Sequence, residues 1–360
     1  MDKTLADTLT TWRRHLHAHP ELSKQESATA AFVQAKLTEL GVPFVTGVGG
    51  HGIVATITRG KSNRNVGLRA DMDALPILES TGLPYASTSP GVMHACGHDG
   101  HTTSLLGAAA LLSRDTGWTG TVQLVFQPAE EGGGGARAMV ADGLFERFPM
   151  ERVFAYHNWP GLEAGHVMVH DGPVMAAGGR VDIVVTGHAG HAALPQLARD
   201  PMDAAVITIG TIQGGMAANQ IPAQVTMRGT CRSYRPDVRD LLDAAIRRVV
   251  AGASAMCDVT ATVEITHGVA ATVNTKAEAV LAVEACTENA IPVRTDMLPA
   301  MTGEDFCWFL EQRPGAFVWI GNGPAEPGRE LHNDGYNFND DILPNASAYL
   351  AGVARRALRA

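Results

Sequence analysis

Within eight positions, His94-Ala95-Cys96-Gly97-His98-Asp99-Gly100-His101, the chain places three histidines, a cysteine and an aspartate. Thiolates, imidazoles and carboxylates bind transition metals and carry protons, and single glycines let the backbone turn tightly around an ion. Residues 102–112 follow as an apolar run with helical character. The polar cluster therefore lies where a loop enters a helix, and its chemistry is that of half a metal site.

The other half has to come from elsewhere. Arg69-Ala-Asp71-Met-Asp73, Gln127-Pro-Ala-Glu130-Glu131, His157-Asn-Trp-Pro160 and Gly187-His188-Ala-Gly-His191 each follow a strand-like run, and Leu331-His332-Asn333-Asp334 lies in a loop before the last helix. Ligands of α/β sheets gather at the carboxyl ends of strands, so the recurrence outweighs any single cluster. Glu130 and Glu131 would repel one another unless a cation or a proton separates them. A metal resolves this: one carboxylate ligates, while the other holds a water whose pKa the metal has lowered and takes its proton.

Taken singly, these groups have ordinary explanations. Glu-Glu is common in solvated loops, His157 could be a satisfied core histidine, His332 a loop residue, and Cys96 a small buried hydrophobe. Joint occurrence lifts Cys96, His98, Glu131, His157 and His332 above those readings. His15, His17 and His19 are expected to be solvated or to cap a surface helix. Gly47-Val-Gly49-Gly-His-Gly52 matches G-x-G-x-x-G, but the β-branched run after it predicts a hairpin-type turn rather than a dinucleotide-binding helix. No G-x-S-x-G or P-loop motif occurs.

The elements that must position these residues alternate. Helices are expected over 5–18 and 26–40, strands over 52–58 and 65–70, then a helix from 102, a strand over 121–126, a helix over 136–141 and a strand over 152–156. The pattern changes near Gly178-Gly179 to strand 180–186, helix 201–216, strand 223–231, helix 236–251 and strand 260–266, and reverts after Asn274 to helices 276–289 and 304–312, strand 316–320 and helix 342–358. The fold class is α/β: a mixed, mostly parallel sheet flanked by helices, formed by residues 1–178 and 274–360, with residues 179–273 inserted as an α+β sandwich.

A length of 360 residues accommodates two such domains. Lys+Arg 28 against Asp+Glu 37 leaves −9, which argues against nucleic-acid or anionic-membrane partners. No apolar run nears the roughly 20 residues that span a bilayer. The N-terminus lacks a signal peptide's apolar core, and five scattered cysteines suit a reducing compartment, so a cytoplasmic location is expected.

The runs LRADMDALPI, HACGHDGHT, VFQPAEEGGGGARAMVADG, HNWP, GHAGHAALP, GEDF and LHNDGYNFND, in this order from about Trp12 to the C-terminus, resemble the hippurate hydrolase and indole-acetyl-amino-acid hydrolase family, relatives of carboxypeptidase G and aminoacylase. The resemblance implies a zinc-peptidase-like catalytic domain, two divalent metal ions (Mn, Zn, Co or Ni) held by Cys96, His98, Glu131, His157 and His332, Glu130 as general base, and Asp71 orienting a ligand. His191 would stabilise the tetrahedral oxyanion, in its own or a neighbouring subunit. The inserted domain would act as lid and as the contact of a homodimer or higher homo-oligomer. Arg69 stands where the carboxypeptidase branch has a ligand histidine, which places the chain in the Cys-Gly-His branch. Asn333-Asp334 and Gly303 depart from the commoner residues and bear on specificity.

The expected reaction is hydrolysis of an N-acyl or N-aroyl amino acid to a carboxylic acid and a free amino acid, with Asn219 and Arg232 as candidates to hold the substrate carboxylate. Rival readings are a dipeptidase or aminopeptidase using the same ions, a noncatalytic metal-dependent binding protein, and a cysteine hydrolase built on Cys96 and His98.

Overall fold

The computed structural model describes residues 1–186, 190–191 and 209–360. They form two compact units: Met1–Val174 with Thr272–Pro299 and Asp305–Ala360, and Met175–Ala271 with Ala300–Glu304.

The first unit opens with α1 (Lys3–Ala18), whose N-cap Asp2 accepts from the Leu5 N–H at 2.8 Å, and α2 (Ser27–Glu39). Leu5, Leu9, Arg13, Leu16 and His17 form the buried face of α1, a spacing of three and four residues. The strands β1 (Phe44–Val48) and β2 (Gly52–Arg59) pair antiparallel. Gly49 and Gly50 turn between them at positive φ, so the G-x-G-x-x-G run is a hairpin as its β-branched sequel suggests.

Then come β3 (Asn65–Asp71), α3 (His98–Arg114), β4 (Gly120–Gln127), α4 (Gly135–Ala141) and β5 (Arg152–Pro160). The sheet runs β1-β2-β4-β3-β5, followed by Gly315–Gly323, Val167–Met168 and Val293–Arg294. β3 is parallel to both β4 and β5, and β5 is parallel to Gly315–Gly323. α3 packs against this sheet beside the last helix, Leu343–Arg359, which contacts the sheet as well. Leu9, Leu105, Leu106 and Leu112 are wholly buried there, and trimming one to alanine would cost roughly 2–5 kcal/mol.

α3 starts at His98, earlier than the apolar run at 102 implies, so His98, Asp99 and His101 belong to its first turn. Gly97 makes this possible. It sits at φ +90, and a Cβ there would lie 2.3 Å from Asn158 Nδ2 and 2.6 Å from the Tyr336 hydroxyl.

The second unit is an antiparallel sheet in the order Thr211–Gly214, Gln224–Ser233, Ala177–Thr186, Thr260–His267, with the helix Pro236–Cys257. The helix expected over 201–216 is corrected at its C-terminal end. Residues 201–208 lie outside the described residues, and Thr211–Gly214 is a strand paired with Gln224–Ser233. The β-branched Thr211 and Ile212 favour a strand, and Gly210, Gly214 and Gly215 each cost a helix about 1 kcal/mol. The helix expected over 304–312 shortens to Cys307–Leu310, leaving Asp305 ahead of it. Among the described residues no helix is long and apolar enough to cross a membrane.

Candidate metal centre

β3 ends at Asp71 and β4 at Gln127, which are register partners, and Arg69 pairs with Ala155 of β5. Alternation along parallel strands therefore puts Arg69, Asp71, Gln127, His157 and Trp159 on one face at the carboxyl edge of the sheet. The Cys96 loop and His332 meet them there. Cys96 Sγ lies 3.3 Å from His157 Nε2 and 3.2 Å from His332 Nε2, and His332 Nε2 lies 3.2 Å from Glu131 Oε1. Cys96, His98 and His157 form one compact donor group, Cys96, Glu131 and His332 a second, and His98, Glu130 and Glu131 a third. The five expected ligands and Glu130 thus converge.

This donor set fits a cation. His98 is wholly buried, and neither ring nitrogen has a hydrogen-bond partner; Glu131 Oε1 is likewise without one. The nearest carboxylate atoms to His98 are Asp73 Oδ1 at 3.4 Å, Asp71 Oδ2 at 3.7 Å and Glu131 Oε1 at 3.9 Å, which are ion-pair separations without hydrogen-bond alignment. Such unmade bonds are costly in a buried site. Burial opposes charge on His98, yet Asp71 and Cys96 hold its proton affinity well above the ordinary histidine range, so the surroundings favour positive charge. Burial, reinforced by Glu131, pushes the Cys96 thiol well above its usual range. An activated cysteine nucleophile needs the opposite shift, whereas a bound metal would ionise this thiol.

Asn158 organises the ligands. Its side-chain amide donates to the Cys96 carbonyl at 2.7 Å, its own carbonyl accepts from His157 Nδ1 at 2.7 Å, and its Oδ1 accepts from the Tyr336 hydroxyl at 2.5 Å. Because a carbonyl only accepts, the His157 proton sits on Nδ1, leaving the Nε2 lone pair facing Cys96. Burial, with His101 and His98 nearby, holds His157 well below the ordinary range. His332 adopts φ +62, and its N–H donates to the Ala95 carbonyl at 2.8 Å, fastening its loop to the Cys96 loop.

Asp71 accepts from His101 Nδ1 at 2.6 Å and from Arg69 Nη1 at 2.8 Å, so it stands beside His98 but is bonded to other groups. Asp73 does what sequence reasoning left unassigned. Its two oxygens accept the N–H groups of Glu130 and Glu131 at 3.0 Å each, and Ser23 Oγ donates to it at 2.5 Å. Asn158, Tyr336 and Asp305 were also missed as contributors; the first sits next to a candidate ligand and the other two lie in quoted motifs, which was the available signal.

His17 corrects an expectation. It is wholly buried, with Nδ1 2.8 Å from Asp99 Oδ2 and Nε2 3.3 Å from Glu79 Oε1, because it shares the buried face of α1; His15 and His19 are exposed. His94 is buried with both ring nitrogens unpartnered, and burial pushes it down to about 4, so it is neutral. In the second unit, the Gly190–His191 backbone pairs with Gln220–Ile221, while Gly187-His188-Ala189 lies outside the described residues. Asn219 is exposed in a turn, and Arg232 is exposed with Nη1 donating to Thr230 Oγ1 at 3.0 Å.

A sheet edge carrying a thiol, imidazoles and a carboxylate pair in one cluster has the donor set of a metal-dependent hydrolase. The chain belongs to peptidase family M20/M25/M40, whose pattern matches residues 67–356, and it is an enzyme of the metal-dependent amidohydrolase class. It is 36% identical to hippurate hydrolase of Campylobacter jejuni over 96% of each chain. It is also 36% identical to N-acetyl-L-cysteine deacetylase of Bacillus subtilis, over 99% of this chain and 89% of that one. The crystal structure of the Bacillus subtilis YXEP protein, a dinuclear metal binding peptidase from the M20 family, superposes with a TM-score of 0.91 at 34% identity, covering 100% of this chain and 99% of that one. The expected family and α/β fold class are those found.

Proposed function

We propose that the protein hydrolyses the amide bond of N-acyl or N-aroyl amino acids, releasing a carboxylic acid and a free amino acid. One observation carries this: Cys96, His98, Glu131, His157 and His332 converge with Glu130 beside them. The names of the relatives, hippurate hydrolase and N-acetyl-L-cysteine deacetylase, support the substrate class.

Those five residues would hold two divalent ions, which would polarise the amide carbonyl and lower the pKa of the attacking water. A thiolate leans toward zinc or cobalt, the imidazoles also suit nickel, and the carboxylates permit manganese. Glu130 takes the proton from the attacking water and returns it to the leaving amine. Asn158 orients His157 directly, and Asp71 acts behind it through His101, whose Nε2 accepts from the Asn158 N–H. His191 donates to the developing oxyanion, worth about 100- to 1,000-fold in turnover. Asn219 and Arg232 hold the substrate carboxylate. The inserted domain, residues 179–273, serves as lid and as the contact of a homodimer or higher homo-oligomer, and the enzyme works in the cytoplasm.

The test is a hydrolysis panel of N-acetyl, N-benzoyl and indole-acetyl amino acids beside free dipeptides, run with each metal. Acylated substrates should be cleaved and free dipeptides turned over far more slowly. The reverse order would establish a dipeptidase at the same centre.

A further inference from the structure

The segment carrying Glu130 and Glu131 is short and glycine-rich. It runs from Pro128 into Gly132–Gly135, with positive φ at Ala129, Gly132 and Gly134. Its two ends meet at one buried carboxylate. Asp305 accepts from Gln127 Nε2 at 2.8 and 2.9 Å, just before the segment, and from the Ala136 N–H at 3.0 Å, just after it. The Asp305 N–H in turn donates to Glu130 Oε1 at 3.3 Å.

Arg69 makes this carboxylate tolerable in the interior. Its Nη2 donates to Asp305 at 3.0 Å, its Nε to Gln127 Oε1 at 2.7 Å and its Nη1 to Asp71 at 2.8 Å. Arg69, Asp71, Gln127 and Asp305 are all at most 2% exposed. One guanidinium therefore joins the aspartate beside His98 to the aspartate that clamps the Glu130 segment. A carboxylate flanked by another at Glu131 needs such restraint to keep its oxygens at one place while a proton comes and goes.

We propose that Asp305, held by Arg69 and Gln127, is a positioning residue that fixes Glu130 for proton transfer. This rests on the reading of Glu130 as the general base. The test compares Asp305→Asn, Glu130→Ala and the double variant by steady-state hydrolysis of an N-acyl amino acid that the wild type cleaves. Metal equivalents per chain and far-ultraviolet circular dichroism are measured alongside. Asp305→Asn should lower kcat about 10- to 100-fold with KM within about twofold, and should keep wild-type metal content and fold. In the Glu130→Ala background the same change should alter the residual rate by less than about twofold, because a residue acting only through Glu130 has nothing left to act on.

Wild-type kcat in Asp305→Asn, an additive loss in the double variant, or loss of bound metal would each overturn the proposal. If Asp305→Asn does not fold, Gln127→Met removes the Gln127 arm of the clamp, together with its contact to Arg69 Nε, at similar volume, and it faces the same criteria with a smaller expected fall. Near-normal turnover in Glu130→Ala would instead reject the general-base reading itself, so the two failures are separable.

Discussion

His17 and Asp99 meet in full burial, with Nδ1 2.8 Å from Oδ2, and tie α1 to the first turn of α3. Burial alone would lower the proton affinity of His17. Hydrogen bonds to Asp99 and Glu79 override it and raise the group to about 9, against a smaller opposing effect of Arg13.

A pH dependence of stability follows. The folded value of His17 lies above its ordinary value near 6.5, so its contribution is fully present below about 6.5 and is lost as pH rises through about 9. The contribution is on the order of 3 kcal/mol. Urea unfolding of metal-free protein between pH 6 and 9.5 measures it, and the difference between wild type and His17→Gln isolates it from His98. The difference should shrink across this window; a constant difference would remove the assignment.

Gly97→Ala should be severe. The residue sits at φ +90, and its new Cβ would press on Asn158 Nδ2 and the Tyr336 hydroxyl, the atoms that hold the Cys96 carbonyl and Asn158. Backbone strain of this kind costs about 1–3 kcal/mol before the clash is counted. Thermal unfolding should show the loss, and metal content should fall with it.

Tyr336→Phe removes only the hydroxyl that donates to Asn158 Oδ1. The fold should persist, because the ring stays buried, while metal affinity drops about 10- to 100-fold. Competition with a chromophoric chelator reads this. Unchanged affinity would show that Asn158 holds its position without the tyrosine.

Glu130→Ala should retain bound metal and lose most turnover, since general-base catalysis is worth about 100- to 10,000-fold. Metal analysis of the purified variant, together with its hydrolysis rate, checks both halves of the statement.

Much of this was legible in the chain because the donors sit at strand ends within long motifs, where residue type and position point the same way. Cys96, His98, Glu131, His157 and His332 come together from separate elements. What stayed hidden depends on partners distant in sequence. Asp73 was quoted among strand-end residues, but nothing local says that its oxygens cap two amide groups more than fifty positions away. Asp305 was read as helix, and its clamp on Gln127 and Ala136 exists only once β4, α4 and this loop are brought together. His17 had a usable signal: it shares the stripe of Leu5, Leu9, Arg13 and Leu16, and clustering with two solvated histidines masked it. The strand Thr211–Gly214 was masked by the apolar run ahead of it, although Gly210 and Gly214 argued against a helix.

Metal-dependent amide hydrolysis is the activity on which every residue role above depends. The decisive measurement is the hydrolysis rate of N-benzoylglycine and N-acetyl amino acids before chelation, after it, and after adding back manganese, zinc, cobalt or nickel. Activity should vanish on chelation and return with at least one of these ions. Undiminished hydrolysis by protein shown to be free of metal would contradict the account.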